Sequence, residues 1–162
     1  MRHTLWQSFR FAGRGLRAAF WTQRTMRVHL VIAAGVTAGA VWLDLPAAEV
    51  AALIVAVVVV LATELVNTAL EALVDLTIGD RHHELAGRAK DLSAAAVLVA
   101  AAGAAIVGLV VLGRPAAAML GLGRFDALAL GRTGALLAVL ALVVVVFRRH
   151  DGSGEVEDRS GR

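Results

Sequence analysis

Long apolar runs separated by short polar clusters organise this chain. Residues 28–45 form the first run, closed by Asp44 and Pro46. Residues 47–75 form the second, residues 92–112 the third, and residues 127–147 a fourth that Arg132 interrupts. A helix needs about 20 residues, at ~1.5 Å rise each, to cross roughly 30 Å of hydrocarbon. The first three runs reach that length once their end residues are included. The fourth has an uninterrupted core only over residues 134–147. It is expected to cross with Arg132 and Arg148 snorkelling to the interfaces, with a re-entrant or interfacial helix as the alternative. The second run is longer than a bilayer requires, so its end carrying Glu71 and Asp75 should emerge into water.

A different pattern precedes the first run. Leu5, Trp6, Phe9, Leu16, Phe20 and Trp21 alternate with Arg2, Arg10, Arg14, Arg17, Arg24 and Arg27. That spacing predicts a basic amphipathic helix over residues 1–27, lying on an anionic membrane surface with its aromatics down. It lacks the compact apolar stretch and small-residue cleavage site of a secretory signal. A nucleic-acid-binding arm is the other reading of the arginines, but the adjoining apolar runs favour a bilayer, and no nucleic-acid partner is expected.

Loop charges set an orientation. Arginines crowd the N-terminal segment, Arg81, Arg88 and Lys90 follow the second run, and Arg148, Arg149, Arg159 and Arg162 follow the fourth. No basic residue follows the first run, and Arg114, Arg124 and Arg132 lie after the third. By the positive-inside rule the N-terminus, the loop after the second run and the C-terminus are cytoplasmic. The small, charged tail over residues 148–162 reads as disordered.

Composition agrees with this division. Of the 162 residues, 59% are hydrophobic and only 5% aromatic, with a formal charge of +3. The mean hydropathy of +0.74 excludes an ordinary soluble domain. No length remains for a separate soluble catalytic domain. The absence of cysteine excludes disulfides, thiol catalysis and cysteine-ligated metals. The fold class is therefore all-α integral membrane: a surface helix over 1–27, a three-span core over 28–113, a linker and fourth span over 114–147, and the tail. Gly35 and Gly39, and the small residues from Ala94 to Gly103, permit close helix approach.

The chemistry concentrates at Glu64-Leu-Val-Asn67-Thr68-Ala-Leu-Glu71-Ala-Leu-Val-Asp75. On a helix, steps of three and four keep Glu64, Asn67, Glu71 and Asp75 on one face. Ionisable groups are costly at membrane depth, so a row of them argues for a site that holds a cation or moves protons. A helical hairpin would return Lys90 and Asp91 beside Glu71 and Asp75. Hard oxygen ligands suit Mg²⁺ together with substrate phosphates, and a nearby lysine suits phosphate charge. Glu64, deeper in the apolar run, is placed to act as a general base for a lipid-borne hydroxyl.

Plainer readings stand beside these. Asp75 can pair with Lys90, Arg81 or Arg88 and merely mark the interface. Asn67 can be an interhelical hydrogen-bonding residue. His82 and His83 are adjacent and lack the spacing of metal ligands, and His29 reads as an interfacial residue. Neither a GxxxxGK[ST] loop nor the kinase set of glycine loop, HRD and DFG is present, so any use of ATP lies outside the soluble folds.

The run Glu64-x-x-Asn67-Thr68-Ala-x-Glu71-x-x-Val74-Asp75, followed by His83 and Ala89-Lys90-Asp91-x-x-Ala94-Ala95-Ala96-Val97-Leu98, resembles the signature of the small prokaryotic diacylglycerol kinase and undecaprenol kinase family. Ser8-Phe-Arg10-Phe-Ala12-x-x-Gly15-Leu16 and Arg27-Val-His29-Leu30 resemble that family's N-terminal helix and the start of its first span. The resemblance covers about residues 6–113. It implies a homotrimer in the inner membrane with active sites at subunit interfaces under the cytoplasmic surface, ATP and Mg²⁺ arriving from the cytoplasm and a lipid alcohol from the bilayer.

Carried over by position, Glu64 resembles the general base, and Asn67 the residue beside the transferred phosphoryl group. Glu71 resembles the metal-binding carboxylate, which also meets the nucleotide, and Lys90 and Asp91 the nucleotide-contacting pair. Arg10 and Arg14 resemble phosphate-holding residues of the surface helix. Where the family usually carries a metal-binding glutamate, this chain has Thr22-Gln23-Arg24-Thr25, so Gln23 retains an oxygen for metal and nucleotide but loses the charge. The implied activity is ATP-dependent phosphorylation of a lipid alcohol. The Ala94–Ala96 run, with no strongly polar lipid-side motif, favours undecaprenol over diacylglycerol. The alternatives are a non-catalytic or degenerate member that binds lipid or partners, and a small ion or proton transporter using Glu64 and Glu71. Residues 114–162 have no counterpart in the family core.

Overall fold

A computed structural model describes residues 4–79, 81–119 and residue 134. Four helices follow one another: α1 (Leu5–Thr22), α2 (Arg24–Trp42), α3 (Ala47–Ile78) and α4 (Glu84–Met119). The last three are long and apolar enough to cross a membrane. The all-α membrane architecture expected from the apolar runs is therefore present. Beyond helical Gly134, the expected fourth span and the tail lie outside the described residues.

Helix α1 starts with a capping box. Thr4 Oγ1 accepts from the Gln7 backbone N–H at 3.4 Å, and Gln7 Oε1 accepts from the Thr4 N–H at 3.0 Å. Two otherwise orphaned donors are thereby satisfied. The helix keeps Trp6, Phe9 and Trp21 largely exposed, as a helix lying in a lipid interface would. Arg14 lies 4.8 Å from the centre of the Phe11 ring, one turn back on the same face.

A single residue separates α1 from α2. Gln23 adopts φ −103° and ψ 119°, closing α1 through its N–H to Ala19 O and serving as the N-cap of α2. The surface helix thus ends at Thr22, and the first spanning helix begins at Arg24 rather than at residue 28. Two contacts account for the early start. Met26 is fully buried. The Arg27 guanidinium donates to the carbonyls of Phe20 and Trp21 at 3.2 Å each, satisfying acceptors that the end of α1 would leave open.

Helix α2 stops in a Schellman motif. Leu45 N–H donates to Ala40 O and Asp44 N–H to Val41 O, both at 3.2 Å, while Asp44 takes φ 49°. Aspartate tolerates this left-handed conformation better than most residues. Pro46 then opens α3, its carbonyl accepting from Glu49 and Val50. With 32 and 36 residues, α3 and α4 span about 48 and about 54 Å, well beyond the hydrocarbon thickness. Helix α4 begins at Glu84 rather than residue 92, its first turns supplied with the good helix formers Glu84, Leu85, Ala86, Arg88, Ala89 and Lys90 and an Arg88–Glu84 ion pair at 2.6 Å. It also runs through Pro115 to Met119, past the expected end at residue 112.

The most extensive packing is between α3 and α4, with α2 against α3 next. Few large side chains are enclosed: Met26, Leu53 and Val60 form the apolar centre, while Val31, Val41, Trp42 and Leu98 face outward. In lipid such exposure carries no hydrophobic penalty. The chain therefore places the α1–α2 junction and the C-terminal half of α3 at the same end of the bundle.

The α3–α4 turn depends on Gly79, at φ 55° and ψ −136°, a region closed to residues with a Cβ. A Cβ there would meet no atom within 4 Å, so any cost of substitution is conformational. Gly79→Ala should destabilise the protein by about 1–3 kcal/mol. Gly87→Ala, inside α4 and also unobstructed, should stabilise it by about 0.5–1 kcal/mol. Unfolding midpoints in detergent measure both; equal behaviour of the two variants would refute the assignment of Gly79 to a glycine-only conformation.

Candidate functional site

Helix α3 carries its polar row inward. Glu64 is 2% exposed and Asn67 8%, the two most enclosed polar side chains of α3. Glu71, one turn farther on, is half-buried, and Asp75 is exposed. Burial therefore falls steadily along this face toward the α3–α4 turn.

The α1–α2 junction covers this row. Gln23 does not cap α2 with its side chain; its Nε2 instead donates to Glu71 Oε2 at 3.5 Å. Asn67 Nδ2 donates to the other oxygen, Glu71 Oε1, at 3.0 Å. Glu71 is thus held between two neutral amides, one from α3 and one from the α1–α2 junction. Thr25 Oγ1 donates to Glu64 Oε1, and the Thr68 hydroxyl donates to the Glu64 backbone carbonyl at 2.9 Å. Two residues of the junction, Gln23 and Thr25, reach points on α3 two turns apart, about 10 Å along its axis.

Asn67 Oδ1 is buried without a hydrogen-bond partner. A buried acceptor left unpaired costs about 1–3 kcal/mol, so its presence needs a reason. Among the described residues no group of three or more His, Cys, Asp or Glu could hold a metal ion. The oxygen donors on this face are the Glu71 carboxylate, the unpartnered Asn67 Oδ1 and the Gln23 amide. That set fits a hard cation that retains water or phosphate ligands.

Across the turn, Lys90 Nζ meets Asp75 Oδ1 at 2.5 Å. The hairpin therefore returns Lys90 to the outer end of the row, beside Asp75 rather than Glu71. Asp91 is exposed and makes no described hydrogen bond or ion pair. Arg10 and Arg14 lie on exposed α1, and Arg14 is engaged with Phe11; the described contacts bring neither to the acidic row. His82 and His83 are exposed, whereas His29 lines an apolar cavity of about 220 Å³ between α2, α3 and α4, with Leu53, Val60 and Leu61.

Sequence reasoning had singled out Gln23 but missed Thr25 and Ser93. Ser93 is 7% exposed and donates to the Lys90 carbonyl at 2.9 Å, closing the first turns of α4 near the site. The available signal for Thr25 is its place two residues after Gln23, opposite an acidic helix face. Periodicity within one helix cannot reveal a partner on another.

Comparison with known proteins gives consistent results. The family model described as prokaryotic diacylglycerol kinase matches residues 10–112, more than half of the chain. A diacylglycerol kinase from Synechocystis sp. is 46% identical over 115 residues, covering 67% of this chain. The chain spans 66% of that relative's length, just under two thirds. A diacylglycerol kinase from Escherichia coli is 42% identical over 56% of this chain and 73% of its own length. An undecaprenol kinase from Bacillus subtilis is 37% identical over 65% of this chain and 85% of its own.

The Lys90–Asp75 pair is partly exposed on both sides, with side chains 38% and 61% accessible. Such pairs contribute about 0–1 kcal/mol. Asp75→Asn should therefore leave the unfolding midpoint within that range of wild type. A larger loss, read by thermal or denaturant unfolding in detergent, would make the pair structural.

Proposed function

The chain belongs to the prokaryotic diacylglycerol kinase family, and on that premise we propose that it is a membrane lipid kinase transferring the γ-phosphoryl group of ATP to a lipid alcohol. The observation that carries the reading is the buried row Glu64–Asn67–Glu71, roofed by Gln23 and Thr25 at the edge of a membrane-spanning bundle. Undecaprenol is favoured over diacylglycerol as acceptor. Relatives bearing either name match this chain over similar lengths, 115 and 105 residues, which is compatible with either.

Each residue has a task in this scheme. Glu64 accepts the proton of the lipid hydroxyl as the hydroxyl oxygen attacks the γ-phosphorus. The bond from that phosphorus to the bridging β-phosphate oxygen breaks, its electron pair leaving with ADP. Asn67 lies beside the transferred group. Glu71 and Gln23 would hold Mg²⁺, which would neutralise phosphate charge there. Lys90, Asp91, Arg10 and Arg14 meet the nucleotide. The main levers are positioning and charge compensation, which dominate phosphoryl transfer. A homotrimer in the inner membrane, with the site on the cytoplasmic face, completes the proposal. The arginine-rich N-terminal segment and Arg81, Arg88 and Lys90 support that orientation.

A degenerate, non-catalytic member is the second reading, favoured by Gln23 alone. Its amide meets Glu71 through nitrogen, so holding a cation through Oε1 requires the amide to turn over. Gln23→Glu should raise activity at limiting Mg²⁺ and make the unfolding midpoint Mg²⁺-dependent, because two adjacent carboxylates repel until a cation bridges them. No change in either quantity would remove Gln23 from the metal site.

The decisive assay is phosphate transfer from labelled ATP by the purified protein in mixed micelles, with undecaprenol and diacylglycerol offered separately across a Mg²⁺ series. Transfer to one lipid establishes the kinase and its acceptor. Glu64→Gln should lose turnover while staying folded and membrane-inserted. Silence of both wild type and Gln23→Glu on both lipids would overturn the kinase reading.

A further inference from the structure

The threonines of the described helices divide into two groups. Thr22, Thr37, Thr63, Thr68 and Thr77 each donate to the backbone carbonyl four residues earlier, at 2.7–2.9 Å. That is the usual resort of a threonine hydroxyl in a helix. Thr25 alone among the helical threonines described reaches another helix, donating to Glu64 Oε1.

The chain itself explains the exception. Four residues before Thr25 stands Trp21, on the far side of the break at Gln23. The helical path from Trp21 to Thr25 is interrupted there, and the Trp21 carbonyl is taken by Arg27 Nη1 at 3.2 Å. The hydroxyl of Thr25 is therefore released from its local acceptor and turned toward α3. Glu64 needs it: the side chain is 2% exposed, and the Thr25 hydroxyl is the only donor its carboxylate meets among the described residues.

We propose that Thr25 is a positioning residue for phosphoryl transfer, its hydroxyl holding Glu64 Oε1 so that Oε2 is presented to the hydroxyl of the lipid alcohol. The proposal rests on the reading of Glu64 as the base. The proton of the lipid alcohol passes to Glu64 Oε2 as the oxygen–phosphorus bond forms, and Thr25 keeps its own proton throughout. Anchoring one oxygen removes the rotational freedom of a long side chain in a slot with little other polar support. A general base must lie within about 3 Å of the proton it takes, so loss of that anchor acts on the chemical step rather than on binding.

Thr25→Val preserves shape and removes the hydroxyl; Thr25→Ser preserves the hydroxyl. With full-length protein in mixed micelles, Thr25→Val should lower kcat about 10- to 100-fold, with KM for lipid and for ATP unchanged. Thr25→Ser should restore kcat to within a few-fold of wild type. A wild-type kcat in Thr25→Val, or a Thr25→Ser variant as impaired as Thr25→Val, overturns the proposal. If Thr25→Val does not fold, Thr25→Ala carries the test: kcat should fall with KM unchanged, and a wild-type kcat overturns the proposal. Glu64→Gln in the same preparation separates the two claims. If it is inactive while Thr25→Val is wild type, only the role of Thr25 fails; if it remains active, the base assignment fails and takes this proposal with it.

Discussion

A carboxylate buried in a membrane-spanning helix is the constraint on which this structure turns. Glu64 interrupts an apolar run and is 2% exposed, so its carboxylate needs a hydrogen-bond donor from the protein. Support comes from Thr25, on a helix that must therefore start early enough and close enough to supply it. The one-residue break at Gln23, the helical start at Arg24 and the burial of Met26 all serve that approach. Local structure at the α1–α2 junction is thus dictated by a polar requirement on α3.

Farther along α3 the same junction meets a second requirement. Glu71 is held from two sides by amides, one on its own helix and one from Gln23. Amides are versatile here because they can present either nitrogen or oxygen. As described, both give nitrogen to the carboxylate, and Asn67 Oδ1 remains unpaired in a buried position. The face is polar, enclosed and incompletely satisfied, which is the condition of a site awaiting a ligand rather than of a finished core.

The rest of the molecule is arranged for lipid. Its enclosed apolar centre is small, and large aliphatic side chains point outward along α2, α3 and α4. Helices α3 and α4 outlast the hydrocarbon, so their shared turn and the Lys90–Asp75 pair stand in a wetter zone, where an exposed ion pair is inexpensive to keep. The polar row thereby runs from an apolar depth at Glu64 to an aqueous edge at Asp75. The proposed transfer from a water-soluble phosphate donor to a membrane alcohol would use that gradient.

The sequence by itself determined the helical, membrane-spanning character, the three described spans and the one-sided placement of Glu64, Asn67, Glu71 and Asp75. Hydropathy and helical periodicity are properties of a single segment and can be read from it. The meeting of Lys90 with Asp75 was also legible, because a short turn between two helices leaves little choice of register. What only the tertiary structure decided was which side chains complete the row. Gln23 donates to Glu71, and Thr25 donates to Glu64 rather than along its own helix. Those two contacts join residues 48 and 39 positions apart, and no period within either segment encodes them. They exist because packing α2 against α3 leaves a buried carboxylate that must find its donor across the interface.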